Sequence, residues 1–311
     1  MKTNSIIALI LSISLFGLFG CADKYEVDYE ALEEMIEWYV RNNVQGLFAV
    51  CQSSEMFFLS LEERVKIASF VKKKSKGRVS VVASGHISYG MHDQLDEIRR
   101  IWETGVDAFV LVSNRMANEN ESDDVWKANT EKIITELPDV VFGIYECPYP
   151  YKRQLSPELL KWCASTGRFV FLKDTCCDID KIKAKIEAVK GSNLKIFNAN
   201  SVTLLESLKV GGAGFSGVMG NFHPDLYAWL TQNWNKEPEK AEIVQNFLGP
   251  TSEAVGASYP INAKYYMQLE GINIKLNSRV MNAADYTKTN QLGTEQLHEL
   301  WKSFKEKFME N

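Results

Sequence analysis

The sequence predicts an α/β protein, a (β/α)8 TIM barrel with additional C-terminal helices. Seven short apolar segments recur, and their starts lie about 20 to 33 residues apart, the length of one strand, one helix and two loops. These segments are residues 46–50, 79–84, 107–113, 140–146, 168–174, 194–198 and 214–221. Amphipathic stretches lie between them, at 60–74, 94–104, 125–136, 157–165 and 180–189. A chain of 311 residues is long enough for such a domain, which needs about 250.

The composition of the segments favours a closed parallel barrel. Residues 169–172 read Phe-Val-Phe-Leu, a continuous apolar run that suits a parallel strand covered by helices. The alternative, a doubly wound open sheet, is weakened because no glycine-rich dinucleotide-binding loop follows an early strand. Beyond Leu226 the pattern is mainly helical, with a glycine- and proline-containing break at 249–260 and a helical tail at 294–311.

Charge and cysteine usage exclude some functions. Hydrophobic residues make up 45% and charged residues 24%, as in ordinary soluble domains. A net charge of -5 gives no basic surface for phosphates, so we expect no nucleic-acid partner. The four histidines are scattered and the six cysteines lack paired zinc-site spacings, so we expect no metal.

The N-terminal segment, residues 1–26, permits two interpretations. Its apolar run at 6–20 is too short to span a bilayer comfortably but matches the core of a signal peptide. Leu18-Phe19-Gly20-Cys21 resembles a bacterial lipoprotein cleavage site, with Cys21 as the lipidated residue. Alternatively, the same run supplies the first strand of a barrel that occupies 27–311, and its removal would expose a sheet edge. Both interpretations remain open.

Lys173 is a candidate nucleophile. In such barrels the reactive groups lie at the carboxyl ends of the strands, and Lys173 follows an apolar strand directly. Burial there disfavours the ammonium form and lowers the pKa, and a neutral amine can attack a ketone. The alternative is a lysine that pairs with Asp174 or another carboxylate, because a buried lysine needs a partner.

Two further features lie at predicted strand ends. Tyr145 ends the strand one βα unit before Lys173, so its phenol should emerge beside the amine and can carry protons. By itself, a tyrosine at such a position is more often a packing residue at the edge of the core. The loop at 51–55 follows an earlier strand, and its backbone amides together with Gln52 and Ser53 can hold a carboxylate. Ser60 and Glu63, which follow this loop, form a predicted capping box.

Together these residues resemble the dihydrodipicolinate synthase and N-acetylneuraminate lyase superfamily of pyruvate-dependent class I aldolases, from about Val27 onward. Phe171-Leu172-Lys173-Asp174-Thr175 is similar to its Schiff-base strand, and Tyr145-Glu146-Cys147-Pro148 to its tyrosine motif. The resemblance implies that Lys173 forms a covalent imine with pyruvate, that Tyr145 moves protons, and that no other cofactor is needed.

The resemblance also covers two binding segments. Cys51-Gln52-Ser53-Ser54-Glu55 occupies the place of a Gly-x-Thr-Gly-Glu carboxylate-binding loop but lacks both glycines. Residues 211–217, followed by Asn221 and Pro224, are similar to the final strand. The resemblance implies that Gln52, Ser53 and Ser216 bind the substrate.

Departures from the family pattern bear on the substrate. The synthase branch has an aromatic pair after its fourth strand, where this chain has Ser113-Asn114-Arg115-Met116, and an arginine where this chain has Pro150. Gln52 and Met116 thus replace a hydroxyl and a phenol of the proton relay. The sialic acid lyase branch has acidic residues where this chain reads Asn-Ala-Asn-Ser-Val at 198–202. We therefore expect an aldolase, lyase or dehydratase for another 2-oxo acid, with an aldehyde as a further substrate in the aldolase case.

Arg115, Met116 and Lys152 are candidates for specificity. Arg115, Lys152 and Arg153 can bind a second anionic group on the substrate, although the favoured alternative is that they are solvated loop charges. The resemblance implies a homo-oligomer, commonly a tetramer, and a cytoplasmic location. The alternative is a catalytically inactive barrel that binds a ligand at the cell envelope as a lipoprotein anchored through Cys21.

Overall fold

The chain folds as a parallel β-barrel surrounded by helices. The computed structural model describes residues 10–11, 26–255 and 258–309. In this part of the chain eight parallel strands form one sheet, and each strand pairs with the next in sequence. The strands are β1 Ile10–Leu11, β2 Gly46–Ala49, β3 Ser80–Ala83, β4 Ala108–Val112, β5 Phe142–Tyr145, β6 Phe169–Asp174, β7 Lys195–Asn198 and β8 Gly214–Phe215. Because β1 also lies beside β8, the sheet closes on itself, and the predicted (β/α)8 class is confirmed.

The helices follow the strands in the expected alternation, and four of them extend beyond β8. They are α1 Tyr29–Arg41, α2 Leu61–Ser75, α3 Met91–Trp102, α4 Asp123–Glu136, α5 Pro157–Ser165, α6 Ile179–Ala188, α7 Leu204–Lys209, α8 Pro224–Asn233, α9 Pro238–Ala254, α10 Ile261–Leu269 and α11 Lys288–Phe308. The capping box that starts α2 is present, since Ser60 N–H donates to Glu63 and Glu63 N–H donates back to Ser60 Oγ at 3.2 Å.

Two predicted boundaries were wrong. The last strand was expected over 214–221, but β8 ends at Phe215 and a short 3-10 helix covers Val218–Asn221. The chain leaves the strand near Gly217, where a Cβ atom would lie 2.5 Å from the Ala199 carbonyl oxygen, so only glycine permits this close approach.

The expected break at 249–260 also begins later, because α9 continues through Gly249 and Pro250 to Ala254. An interior proline costs a helix about 3 kcal/mol. Val244 and Leu248 in the same helix are fully buried, and burying each such side chain contributes about 1.5–3 kcal/mol. Packing of this face therefore outweighs the proline.

Most of the N-terminal segment lies outside the described residues, and Cys21 is among those. Of residues 1–26, the structure describes Ile10–Leu11, whose backbone pairs with Gly46 and Leu47, and Glu26. Within the described part of the chain, no helix has both the length and the apolar character that crossing a membrane requires.

Candidate active site

Lys173 and Tyr145 lie side by side at the carboxyl end of the barrel. They are register partners on β6 and β5, and Lys173 Nζ lies 4.6 Å from the centroid of the Tyr145 ring. The Phe48 ring lies 5.7 Å from the same nitrogen. Burial lowers the pKa of Lys173, although the nearby thiols of Cys51 and Cys147 act in the opposite direction. The site therefore favours the neutral, nucleophilic amine more than water does.

Asp174 points to the other side of the strand, because successive side chains alternate. Its carboxylate lies 2.5 Å from Lys185 Nζ, and Glu146, which follows Tyr145, lies 2.6 Å from the same nitrogen. The ion pair considered for Lys173 is thus formed by Lys185 of α6. Thr175 adds a backbone link, since its hydroxyl donates to the Glu146 carbonyl at 2.6 Å.

The cluster Lys185–Glu146–Asp174 is buried and fixes the ends of β5 and β6. Burial raises the pKa of Glu146 to about 7, and the Asp174 carboxylate adds to this effect while Lys185 opposes it. Burial disfavours the Lys185 ammonium, but the two carboxylates outweigh burial and its pKa is raised. Sequence reasoning missed this cluster; the available signal was an acidic residue directly after each of Tyr145 and Lys173.

The loop at 51–55 connects to the phenol of Tyr145. Its residues Gln52–Ser54 form a 3-10 helix. Tyr145 Oη donates to Gln52 Oε1 at 3.4 Å, and the Cys147 thiol donates to the same oxygen at 3.1 Å. Burial holds the pKa of Tyr145 well above its usual range, so the phenol is protonated at neutral pH and can act as an acid.

The same loop forms its turn without the two glycines of the family pattern. The Ser54 hydroxyl accepts from Cys51 N–H at 2.6 Å and donates to the Cys51 carbonyl at 2.8 Å. Glu55 takes the left-handed conformation, with φ of 60°. Its carboxylate accepts from the Ser278 hydroxyl and from Arg279 N–H. Hydrogen bonds made by the Ser54 and Glu55 side chains thus hold this loop in shape, in place of the backbone flexibility that the two glycines would provide.

Tyr259, just before α10, is a second phenol that sequence reasoning missed. Asn221 Nδ2 donates to Tyr259 Oη at 3.2 Å, and the Ser53 side chain also forms a hydrogen bond with this phenol. The Tyr259 phenol is among the groups that raise the pKa of Tyr145. No local signal marked Tyr259, because it lies between helices in the region interpreted as a break.

The remaining candidates occupy the rim and its surroundings. Ser216 is fully buried directly after β8, and its backbone N–H donates to the Asn198 carbonyl at 2.8 Å. Met116 is buried after β4. Lys152 is exposed, and its ammonium donates to the Thr175 carbonyl at 2.8 Å beside the end of β6.

Arg115 is buried beside two aromatic rings. Its guanidinium carbon lies 4.3 Å from the centroid of the Tyr89 ring and 5.6 Å from that of Phe57. Its Nε and Nη1 atoms are buried and have no hydrogen-bond partner among the described residues. Arg153, by contrast, binds Asp123 at 3.1 Å and two backbone carbonyls, so it supports a loop.

Comparison with known proteins gives the same fold. The 4-hydroxy-tetrahydrodipicolinate synthase of Coxiella burnetii is 23% identical over 274 residues, which covers 88% of this chain and 89% of that protein. A dihydrodipicolinate synthase of Acinetobacter baumannii, solved in complex with pyruvate, superposes with a TM-score of 0.80 at 19% identity and covers 96% of this chain and 98% of its own. The sialic acid aldolase of Ruminococcus gnavus superposes with a TM-score of 0.83 at 17% identity, with coverage of 97% and 99%.

A family model extends over most of the chain. The model of the dihydrodipicolinate synthetase family matches residues 18–294. This match spans far more than half of the 311 residues and includes the strands that carry Tyr145 and Lys173. The chain is therefore a divergent member of the dihydrodipicolinate synthetase family.

Proposed function

We propose that this protein is a Schiff-base-forming lyase or aldolase that acts on pyruvate or a related 2-oxo acid. Membership of the family supports a pyruvate-dependent lyase-type function. The observation that carries the proposal is the buried amine of Lys173, whose pKa is lowered, 4.6 Å from the Tyr145 ring. A nucleophilic amine beside a proton donor is the pair that imine formation needs.

The chemistry requires two proton transfers to the ketone oxygen. Lys173 Nζ attacks C2 of the 2-oxo acid, and Tyr145 gives its proton to the developing alkoxide and regains one from the nitrogen. The product is a neutral carbinolamine. Tyr145 then protonates the carbinolamine hydroxyl, which leaves as water, and the nitrogen becomes a protonated imine. One proton from outside this pair restores the Tyr145 phenol, and the covalent imine serves in place of a cofactor.

The imine then acts as an electron sink for the bond that forms or breaks next to it. The substrate carboxylate would lie against the loop at 51–55, with Gln52, Ser53 and the buried Ser216 as its proposed contacts. We further propose that Arg115, Met116 and Lys152 shape selection of the remainder of the substrate. Since this chain differs from the synthase branch at 113–116 and Pro150, and from the sialic acid lyase branch at 198–202, we propose that its substrate is neither that of the named synthase nor sialic acid.

Borohydride trapping tests the proposal directly. Incubation with pyruvate and borohydride should add one reduced pyruvyl group to the peptide that contains Lys173, as measured by mass spectrometry. Lys173→Met should abolish the adduct. Lys190→Met provides a matched control, because it removes an exposed lysine that pairs with Glu187 and should leave the adduct intact. The proposal is wrong if a panel of 2-oxo acids leaves Lys173 unmodified.

The alternative function is a catalytically inactive barrel that binds a ligand at the cell envelope. It depends on Cys21, which lies outside the described residues. Retention of a 2-oxo acid without any trapped imine, together with a lipid on Cys21 of the native protein, would favour this alternative. A soluble native protein that yields the imine would contradict this alternative.

We also propose that the protein is a homo-oligomer, as the family resemblance implies. Light scattering would test this oligomeric state.

A further inference from the structure

Two phenols converge on neighbouring residues of one loop. Tyr145 reaches the loop from β5 and donates to Gln52, while Tyr259 reaches it from the segment before α10 and hydrogen-bonds Ser53. The two anchoring residues are consecutive in the 3-10 helix Gln52–Ser54. Because Gln52 and Ser53 are adjacent, both hydroxyls lie at the carboxyl end of the barrel.

A buried chain of hydrogen bonds orients Tyr259. Tyr39 Oη donates to Asn221 Oδ1, which fixes the orientation of the Asn221 amide with its nitrogen on the side away from Tyr39. That nitrogen donates to the Val218 carbonyl at 2.8 Å and to Tyr259 Oη at 3.2 Å. Tyr39 and Asn221 are fully buried. Burial holds the pKa of Tyr259 well above its usual range, so the phenol carries a proton at neutral pH. The hydrogen bond donated by Asn221 opposes burial, because it stabilises a phenolate more than a phenol while the proton is away.

The proposed reaction needs such a group. Dehydration of the carbinolamine leaves Tyr145 deprotonated, and one proton must return to it before the next cycle. Gln52 and Met116 stand where the family resemblance implies a hydroxyl and a phenol. An amide and a thioether do not exchange protons as a hydroxyl does. Tyr259 offers a hydroxyl in the same region of the site.

We propose that Tyr259 is the second proton carrier of the imine-forming site, an inference that rests on the proposed function. The Tyr259 hydroxyl delivers its proton to the Tyr145 phenolate after water has left. A solvent proton then restores Tyr259, so one proton is consumed for each protonated imine formed. Asn221 and Tyr39 are positioning residues, which act by orienting the Tyr259 oxygen.

The test measures the rate of imine formation rather than its final extent. Wild-type protein and the Tyr259→Phe variant are mixed with pyruvate, quenched with borohydride at increasing times, and analysed for the adduct on Lys173. Tyr259→Phe should form the imine about 10²-fold more slowly, the lower end of the usual effect of a positioned proton donor. The extent of trapping at long times should equal that of the wild type.

Tyr265→Phe is the matched control. It makes the same substitution six positions along the chain, where the phenol instead donates to Glu295 at 2.6 Å. Its imine should form at the wild-type rate. Rescue separates proton transfer from a merely structural effect: small buffer acids such as imidazolium should accelerate Tyr259→Phe in proportion to their concentration and leave the wild type unchanged.

The outcomes distinguish the two proposals. If the wild type forms no imine with any 2-oxo acid, the proposed function fails and the role of Tyr259 fails with it. If the wild type forms the imine and Tyr259→Phe matches its rate, or is slow without buffer rescue, the Tyr259 inference is overturned while the proposed function stands. Should Tyr259→Phe fail to fold, Tyr39→Phe carries the test: slower imine formation with buffer rescue supports the inference, and a wild-type rate overturns it.

Discussion

Lys185 Nζ lies 2.6 Å from Oε1 of Glu146, the residue that follows Tyr145. The same nitrogen lies 2.5 Å from the carboxylate of Asp174, the residue that follows Lys173. Lys185 therefore joins the residues that follow the two proposed catalytic side chains. All three side chains are almost fully buried, so none can exchange its partner for water. The distance between the Tyr145 and Lys173 side chains therefore depends on Lys185, which holds the residue that follows each of them.

Lys185→Met should destabilise the protein strongly. It leaves two buried carboxylates without their cation, and breaking a buried pair in this way costs about 3–5 kcal/mol. Urea unfolding followed by circular dichroism measures the loss. Lys190→Met, which removes an exposed pair with Glu187, should change the free energy of unfolding by less than about 1 kcal/mol. Equal effects of the two substitutions would contradict the structural role of Lys185.

The pKa of Glu146 predicts a pH dependence of stability. Its folded pKa of about 7 exceeds the ordinary 4.5, so between these values the folded state binds more protons than the unfolded state. The contribution of Glu146 to stability is therefore fully present below 4.5 and is lost as the pH rises towards 7. Across this window, stability of the wild type should fall relative to that of Glu146→Gln. Parallel curves for the two proteins would show that Glu146 titrates normally.

Imine formation should reach its full rate at a pH below 10.5, the ordinary pKa of a lysine side chain. Because burial lowers the pKa of Lys173 from 10.5, the neutral amine is present at lower pH than in water. The rate of adduct formation under borohydride quench should rise with pH and level off before 10.5. A rate that still increases through 10.5 would indicate an ordinary, solvated amine.

Gly217→Ala should destabilise the turn after β8. The new Cβ atom would lie 2.5 Å from the Ala199 carbonyl, and such overpacking costs about 1–3 kcal/mol. Gly293→Ala in α11 is the matched control, because no atom lies within 4 Å of its Cβ position and the site is helical, where alanine is favoured by about 0.5–1 kcal/mol. Thermal unfolding of both variants should give melting-temperature shifts of opposite sign.

Arg115→Met should reduce selectivity for 2-oxo acids that carry a second carboxylate. A buried guanidinium with two unpaired nitrogens gains most from an anionic partner, and a charge-assisted hydrogen bond contributes about 1.5–3 kcal/mol. The ratio of kcat/KM for such acids to that for pyruvate should fall at least about tenfold. Lys152→Met, which removes an exposed cation, should change the ratio less. An unchanged ratio in Arg115→Met would remove this residue from the specificity proposal.

The sequence by itself determined the barrel and the order of its strands. Apolar runs at one strand-plus-helix spacing specify parallel strands covered by helices, and the right-handed connection places successive strands side by side. Hence β5 and β6 are neighbours, and Tyr145 and Lys173 end them at the same level. These features depend on local composition and chain order.

Only the tertiary structure decided which distant groups meet at that end of the barrel. Asp174 was considered a partner for Lys173. Because side chains alternate along β6 and α6 lies beside the other face, Asp174 instead pairs with Lys185. Tyr259 reaches Ser53 although they are separated by most of the barrel, and the burial of Leu248 carries α9 past Pro250. Such contacts depend on side-chain directions and packing across the folded chain, which spacing along the sequence does not specify.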